Sequence, residues 1–157
     1  FNYTQQELLA KIKVALGGRA AEEVVFGDLT TGAESDIQQL TQIARQMIGR
    51  WGMSSTLGTV AVLPQDGQGP FLPGAADGSE ETRRLVDEEV RRLVTSAHDE
   101  VVALLDENRS RLDSLAKALL EHETLDQADA YAAAGIEPRS ADEAPERMAA
   151  AARTTTT

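Results

Sequence analysis

The chain has 157 residues, enough for one domain with a buried core, and its 41% of apolar residues holds only 4% aromatics among Ala, Leu and Val, a mix that favours packed helices over a sheet-rich core. With 26 acidic against 15 basic residues the net charge is −11, which repels phosphate backbones and anionic headgroups and argues against nucleic acid and direct membrane contact. Cysteine is absent, which excludes disulfides, thiolate metal sites and cysteine nucleophiles; no run reaches the ~20 apolar residues of a membrane helix and no signal-peptide pattern opens the chain, so it is expected to be soluble.

The predicted fold is mostly α, with at most a short β strand or hairpin. Thr4 and Glu7 stand in the T-x-x-E spacing of a capping box, and Tyr3 and Leu8 hold the positions of a hydrophobic staple, so a helix is predicted to start at Gln5. Leu8, Leu9, Ile12, Ala15, Leu16 and Ala20 keep the 3.6-residue period, which continues through Ala21, Val24 and Val25 to Gly27. Gly17 and Gly18 interrupt it, each weakening a helix by about 1 kcal/mol relative to alanine. Two such residues side by side imply that another backbone packs very close.

After a turn across residues 27–32, Ile37, Leu40, Ile43, Ala44, Met47, Ile48 and Trp51 mark one face of a second helix, and Gly52 offers a left-handed C-cap. "TVAVL", Thr59 to Leu63, is the one run that predicts a strand besides the threonines Thr30 and Thr31. Residues 64–78 read as a glycine- and proline-rich loop, long for a compact domain. Ser79 is predicted to cap a long helix in which Leu85, Val86, Val90, Leu93, Val94, Ala97, Val101, Leu104 and Leu105 keep a nearly heptad spacing. "ENRSRLD" predicts a bend recapped by Ser110 and Asp113, and Leu112, Leu115, Ala116, Leu119 and Leu120 carry the stripe onward, giving a hairpin or a kinked rod. Thr124 and Gln127 form another capping-box pair for a last short helix that stops near Gly135 and Pro138. Residues 139–157 lack any apolar period and are expected to be a disordered Ala-, Glu- and Thr-rich tail.

No catalytic residue emerges within the chain. Its 2 histidines, His98 and His122, have no histidine partner four residues away, so no H-E-x-x-H zinc site is present. "HETLD" imitates one end of such a motif, but Thr124 reads as a helix start that separates the side chains. His98, between Val94 and Val101, reads as a partly buried rim histidine. Asp36 follows a Thr-Gly turn at the mouth of the second helix, where a carboxylate is ordinarily a first-turn acid favoured by the helix dipole.

Four blocks in order, "ALGGRAAEEVVFGDLTTGAESDI", "ARQMIGRWGMSSTLG", "SEETRRLVDEEVRRLV" and "LAKALLEHETLD", resemble the C-terminal part of the peptidase domain of FtsH-type proteases, membrane-anchored AAA+ zinc metalloendopeptidases. The resemblance covers about residues 2 to 134, and it implies a peptidase domain over residues 1–138. In that family an H-E-x-x-H helix supplies two zinc ligands and the general base, and the aspartate of a T-G-A-x-x-D block supplies the third ligand. Asp36 occupies that place here, and Glu22 of the "AEE" block is implied as an acceptor for a ligand histidine. The double glycine would let the zinc-ligand helix pack on the first helix. Glu34 and Ser35 depart from the more frequent Ser-Asn pair, with the aspartate spacing kept.

The H-E-x-x-H helix and the ATPase module would precede Phe1, so these residues alone are expected to be proteolytically silent. The resemblance further implies zinc as cofactor, ATP and magnesium in the ATPase domain, polypeptide substrates and a homo-oligomer, a hexamer in the parent protein. The parent would be anchored in a membrane with its peptidase domain on the cytoplasmic side. The "TVAVL" run is a candidate edge for an extended substrate. A rival reading is a non-catalytic helical assembly module, a pseudo-protease remnant whose heptad-like stripe from Val86 to Leu104 joins copies together.

Overall fold

A computed structural model describes residues 2–28, 30–63 and 79–138. The expected loop at 64–78 and the expected tail at 139–157 lie outside the described residues. Two compact units divide the chain, Phe1–Glu107 and Asn108–Thr157.

In the first unit, α1 (Gln5–Phe26) begins as its sequence predicts. The Thr4 hydroxyl accepts from the Glu7 amide at 3.2 Å, and the Glu7 carboxylate accepts from the Thr4 amide at 2.7 Å, so two amides that the helix leaves unbonded are satisfied reciprocally. Tyr3 adds its ring to the Lys11 ammonium, 3.7 Å from the centroid. Gly27, at φ +72°, ends the helix in the left-handed region that a side chain disfavours.

A 3₁₀ turn, Thr31–Ala33, leads into α2 (Glu34–Gly49), and α3 (Glu80–Glu107) follows residues outside the described set. The Ser79 hydroxyl accepts from the Thr82 amide at 3.1 Å and caps α3 as predicted. The three helices pack pairwise around one core. Leu8, Ile12, Leu16 and Ala20 face inward from α1, Leu40, Ala44, Met47 and Ile48 from α2, and Val86, Val90, Ala97 and Val101 from α3. Burying a side chain the size of Ile12 or Leu40 contributes about 1.5–3 kcal/mol, and this cluster is what holds the unit together. The heptad-like stripe of α3 is therefore core of its own unit from Val86 to Val101, whereas Leu85 lies outside the core cluster and Leu104 is exposed.

Three expectations need correction here. Among the described residues, nothing lies within 4 Å of a Cβ built on Gly17 or Gly18, so no described backbone packs against the double glycine. Trp51 lies beyond the end of α2, and it is 45% exposed rather than part of the buried face. "TVAVL" forms no strand; only a single antiparallel bridge, Ser54 to Gly58, precedes it. The overall content nevertheless agrees with a mostly α fold, five α-helices and no strand among the described residues.

The second unit holds α4 (Arg109–His122) and α5 (Gln127–Ala134), which pack against each other. Asn108 separates α3 from α4, and the expected recapping residues lie inside α4, where Asp113 instead accepts from Arg109 Nε at 3.0 Å. No residue of α4 is buried, so the stripe predicted to continue through Leu119 and Leu120 stays largely exposed. The cap of α5 is Asp126, whose carboxylate accepts from the Asp129 amide at 2.8 Å, and not Thr124. The chain swings through a positive φ of 60° at Glu123, which moves Thr124 out of the capping position. Gly135 closes α5 at φ +65°, as predicted.

Candidate functional site

The end of α1, the 3₁₀ turn and the start of α2 form a hydrogen-bonded relay. Gly32 donates its amide to the Thr30 hydroxyl at 3.3 Å, and that hydroxyl donates to the Glu22 carboxylate at 2.9 Å. Glu22 is half-buried on the last turns of α1, so the relay ties the Thr-Gly turn to the helix before it. Ala33, buried beneath the turn, sets the entry of α2.

Asp36 sits in the first turn of α2, exposed, and among the described residues its carboxylate has no hydrogen-bond or ion-pair partner. The residue in the N-cap position is Ala33, which offers no side-chain cap. Glu34, two residues earlier, instead accepts from Gln38 at 3.3 Å. Asp36 is thus supported only by the partial positive charge of the helix end, and its oxygens are available to an outside group.

A zinc site needs three or four protein ligands. Among the described residues no three His, Asp or Glu side chains come together to hold a metal, so the described residues by themselves do not fit zinc. A single free carboxylate does fit the role of one oxygen donor to a site completed by other ligands. His98 is not brought to Asp36. His98 places Nε2 2.8 Å from the Glu23 carboxylate and Nδ1 3.7 Å from Asp99, and it is mostly covered, as a rim histidine should be. His122 is exposed in the last turn of α4, in the other unit.

A second feature follows α2. The Val62 and Leu63 amides both donate to the Gly49 carbonyl, at 2.7 and 3.0 Å, and the Leu63 side chain fills the space that a Cβ on Gly49 would need. Residues 59–61 before them have no backbone partner among the described residues, and Val60 is exposed. A run anchored at its end, whose amides and carbonyls have no partner among the described residues, has backbone groups with which an extended chain can pair.

Sequence reasoning missed Glu89. Its carboxylate is buried, accepts from the Ser54 hydroxyl at 3.1 Å, and takes both Nε and a terminal amine of Arg92 at 3.0 and 2.9 Å. The bidentate Arg92 contact, followed by the Ser54 bond against the cost of burial, holds this carboxyl below the usual glutamate range. The available signal was its position three residues after Val86, on the buried face of α3.

The fold and site define a class, a helical domain with one exposed acidic side chain, Asp36, and a short run at 59–61 that both lack partners among the described residues. The model of peptidase family M41 matches residues 1–132. The chain is 69% identical over 137 residues to "ATP-dependent zinc metalloprotease FtsH 3" of Conexibacter woesei, covering 87% of this chain and 18% of that protein. It is 50% identical over 131 residues to an "ATP-dependent zinc metalloprotease FtsH" of Thermobaculum terrenum, covering 81% and 20%. A relative of the same description from Rhodococcus erythropolis is 48% identical over 141 residues, covering 87% and 16%. The chain belongs to peptidase family M41, and it spans about a fifth of the length of the curated relatives it matches.

Proposed function

We propose that this chain is the C-terminal part of the peptidase domain of an ATP-dependent zinc metalloendopeptidase that degrades unfolded or membrane proteins. The observation that carries the reading is the exposed carboxylate of Asp36, without a partner among the described residues, on the first turn of α2, in a chain whose matched family is a peptidase family. Bound zinc would act as a Lewis acid on the scissile carbonyl. Asp36 contributes one oxygen ligand, and the imidazole ligands and general base come from outside these residues. Glu22, held by Thr30, faces a ligand histidine as hydrogen-bond acceptor and fixes its tautomer. Residues 59–61 bind and orient an extended peptide by backbone hydrogen bonds.

The complete protein works as a homo-oligomer, a hexamer, with ATP and magnesium in an ATPase domain and an anchor that leaves the peptidase domain on the cytoplasmic side. No helix among the described residues is long and apolar enough to cross a membrane. The assembly-module reading rested on the α3 stripe, whose main residues are core. Asp36→Ala in the complete protein tests the proposal. Zinc content and casein hydrolysis should both fall to background while helical circular dichroism and ATP hydrolysis persist; a variant that retains zinc and hydrolysis refutes it.

A further inference from the structure

The run that leads into residues 59–61 is held more firmly than an exposed loop requires. The Gly58 amide donates to the Ser54 carbonyl at 2.9 Å, closing a turn over residues 54–58. Leu57 donates its amide to the Ser54 hydroxyl at 3.3 Å, and the same hydroxyl donates to the buried Glu89 carboxylate of α3 at 3.1 Å. Met53 donates to the Met47 carbonyl of α2 at 3.0 Å. Gly52, at φ +63°, lets the returning chain pass so close that a Cβ there would meet the Thr59 Cα at 2.9 Å. Ser54 is 6% exposed and Glu89 8%, and the cost of burying this carboxylate is offset by Arg92 and by the Ser54 bond that ties the turn to α3.

We propose that Glu89, acting through Ser54, is a positioning residue for substrate: it fixes the 54–58 turn on α3 so that residues 59–61 present their unpaired backbone in a form ready to receive an extended peptide. This rests on the function proposed above. A preordered edge saves the ordering entropy that a loose segment would lose on binding. The clamp therefore acts on peptide binding and leaves the bond-breaking groups untouched.

The test uses the complete protein, a fluorogenic peptide substrate, and hydrogen exchange at the Gly58 and Val62 amides, which are hydrogen-bonded on either side of residues 59–61. Ser54→Ala removes one hydroxyl while Glu89 keeps Arg92, and Glu89→Gln keeps an oxygen acceptor for Ser54, so both variants are expected to fold and to hold zinc. For Ser54→Ala, amide exchange at Gly58 and Val62 accelerates and KM for the peptide rises roughly two- to tenfold, the equivalent of one hydrogen bond, with kcat unchanged. Glu89→Gln shows a smaller rise in KM. Unchanged exchange in Ser54→Ala overturns the inference, as does faster exchange with an unchanged KM, or a loss confined to kcat or zinc content. Failure of the unsubstituted protein to cleave peptide at all overturns the proposed function itself, and that result appears before any variant is made.

Discussion

Gly17 and Gly18 make a prediction with opposite signs in two contexts. Both lie inside α1 with ordinary helical backbone, and a Cβ on either meets nothing within 4 Å among the described residues. Alanine there restricts the unfolded chain and strengthens the helix without a clash, so each substitution should stabilise the 157-residue chain by about 0.5–1 kcal/mol. With no shared partner in this chain, the pair should add to about 1–2 kcal/mol, or several degrees in Tm for a unit of this size. Urea unfolding of the chain followed by circular dichroism at 222 nm reads this directly. In the complete protein, where the zinc-ligand helix is proposed to pack on this face, the same two methyl groups should lower zinc retention. Destabilisation of the 157-residue chain by more than about 1 kcal/mol would refute the reasoning, because it would require a close neighbour that this fold does not place there.

Further substitutions probe the rest of the unit. Gly52→Ala forces a side chain into a left-handed φ of +63° and into the Thr59 backbone, and should cost at least about 1–2 kcal/mol in the same urea titration. Leu40→Ala, at a fully buried position among α1, α2 and α3, should cost about 2–5 kcal/mol and lower the urea midpoint without changing the slope. Glu89, whose folded pKa is depressed, binds its proton more readily when unfolded; its contribution is complete above the usual glutamate range and is lost as pH falls through the lower folded value. Stability measured against pH should therefore decline on acidification, and Glu89→Gln should flatten that decline.

Local chemistry was readable where one or two side chains decide the structure. The Thr4–Glu7 box, the Ser79 cap and the left-handed Gly27 and Gly135 all follow from preferences that act within four residues. The inward faces of α1, α2 and α3 followed from helical period. Thr124 shows the limit of a pattern: the S/T-x-x-Q spacing is present, but the positive φ at Glu123 turns the chain and Asp126 becomes the cap. "TVAVL" has strand-like composition, yet a strand needs a partner, and β propensity says nothing of whether one exists. The role of Glu89 was hidden for a related reason, since its meaning depends on Ser54, 35 residues earlier in the chain. Asp36 was legible from its motif, whereas its lack of any local partner became visible only in the fold.

The most direct test of the central claim is anomalous diffraction at the zinc absorption edge from crystals of the complete protein. The account predicts a peak about 2.0–2.2 Å from a carboxylate oxygen of Asp36, with the other ligands drawn from outside these 157 residues. A zinc peak with a full ligand set that leaves Asp36 out would contradict it.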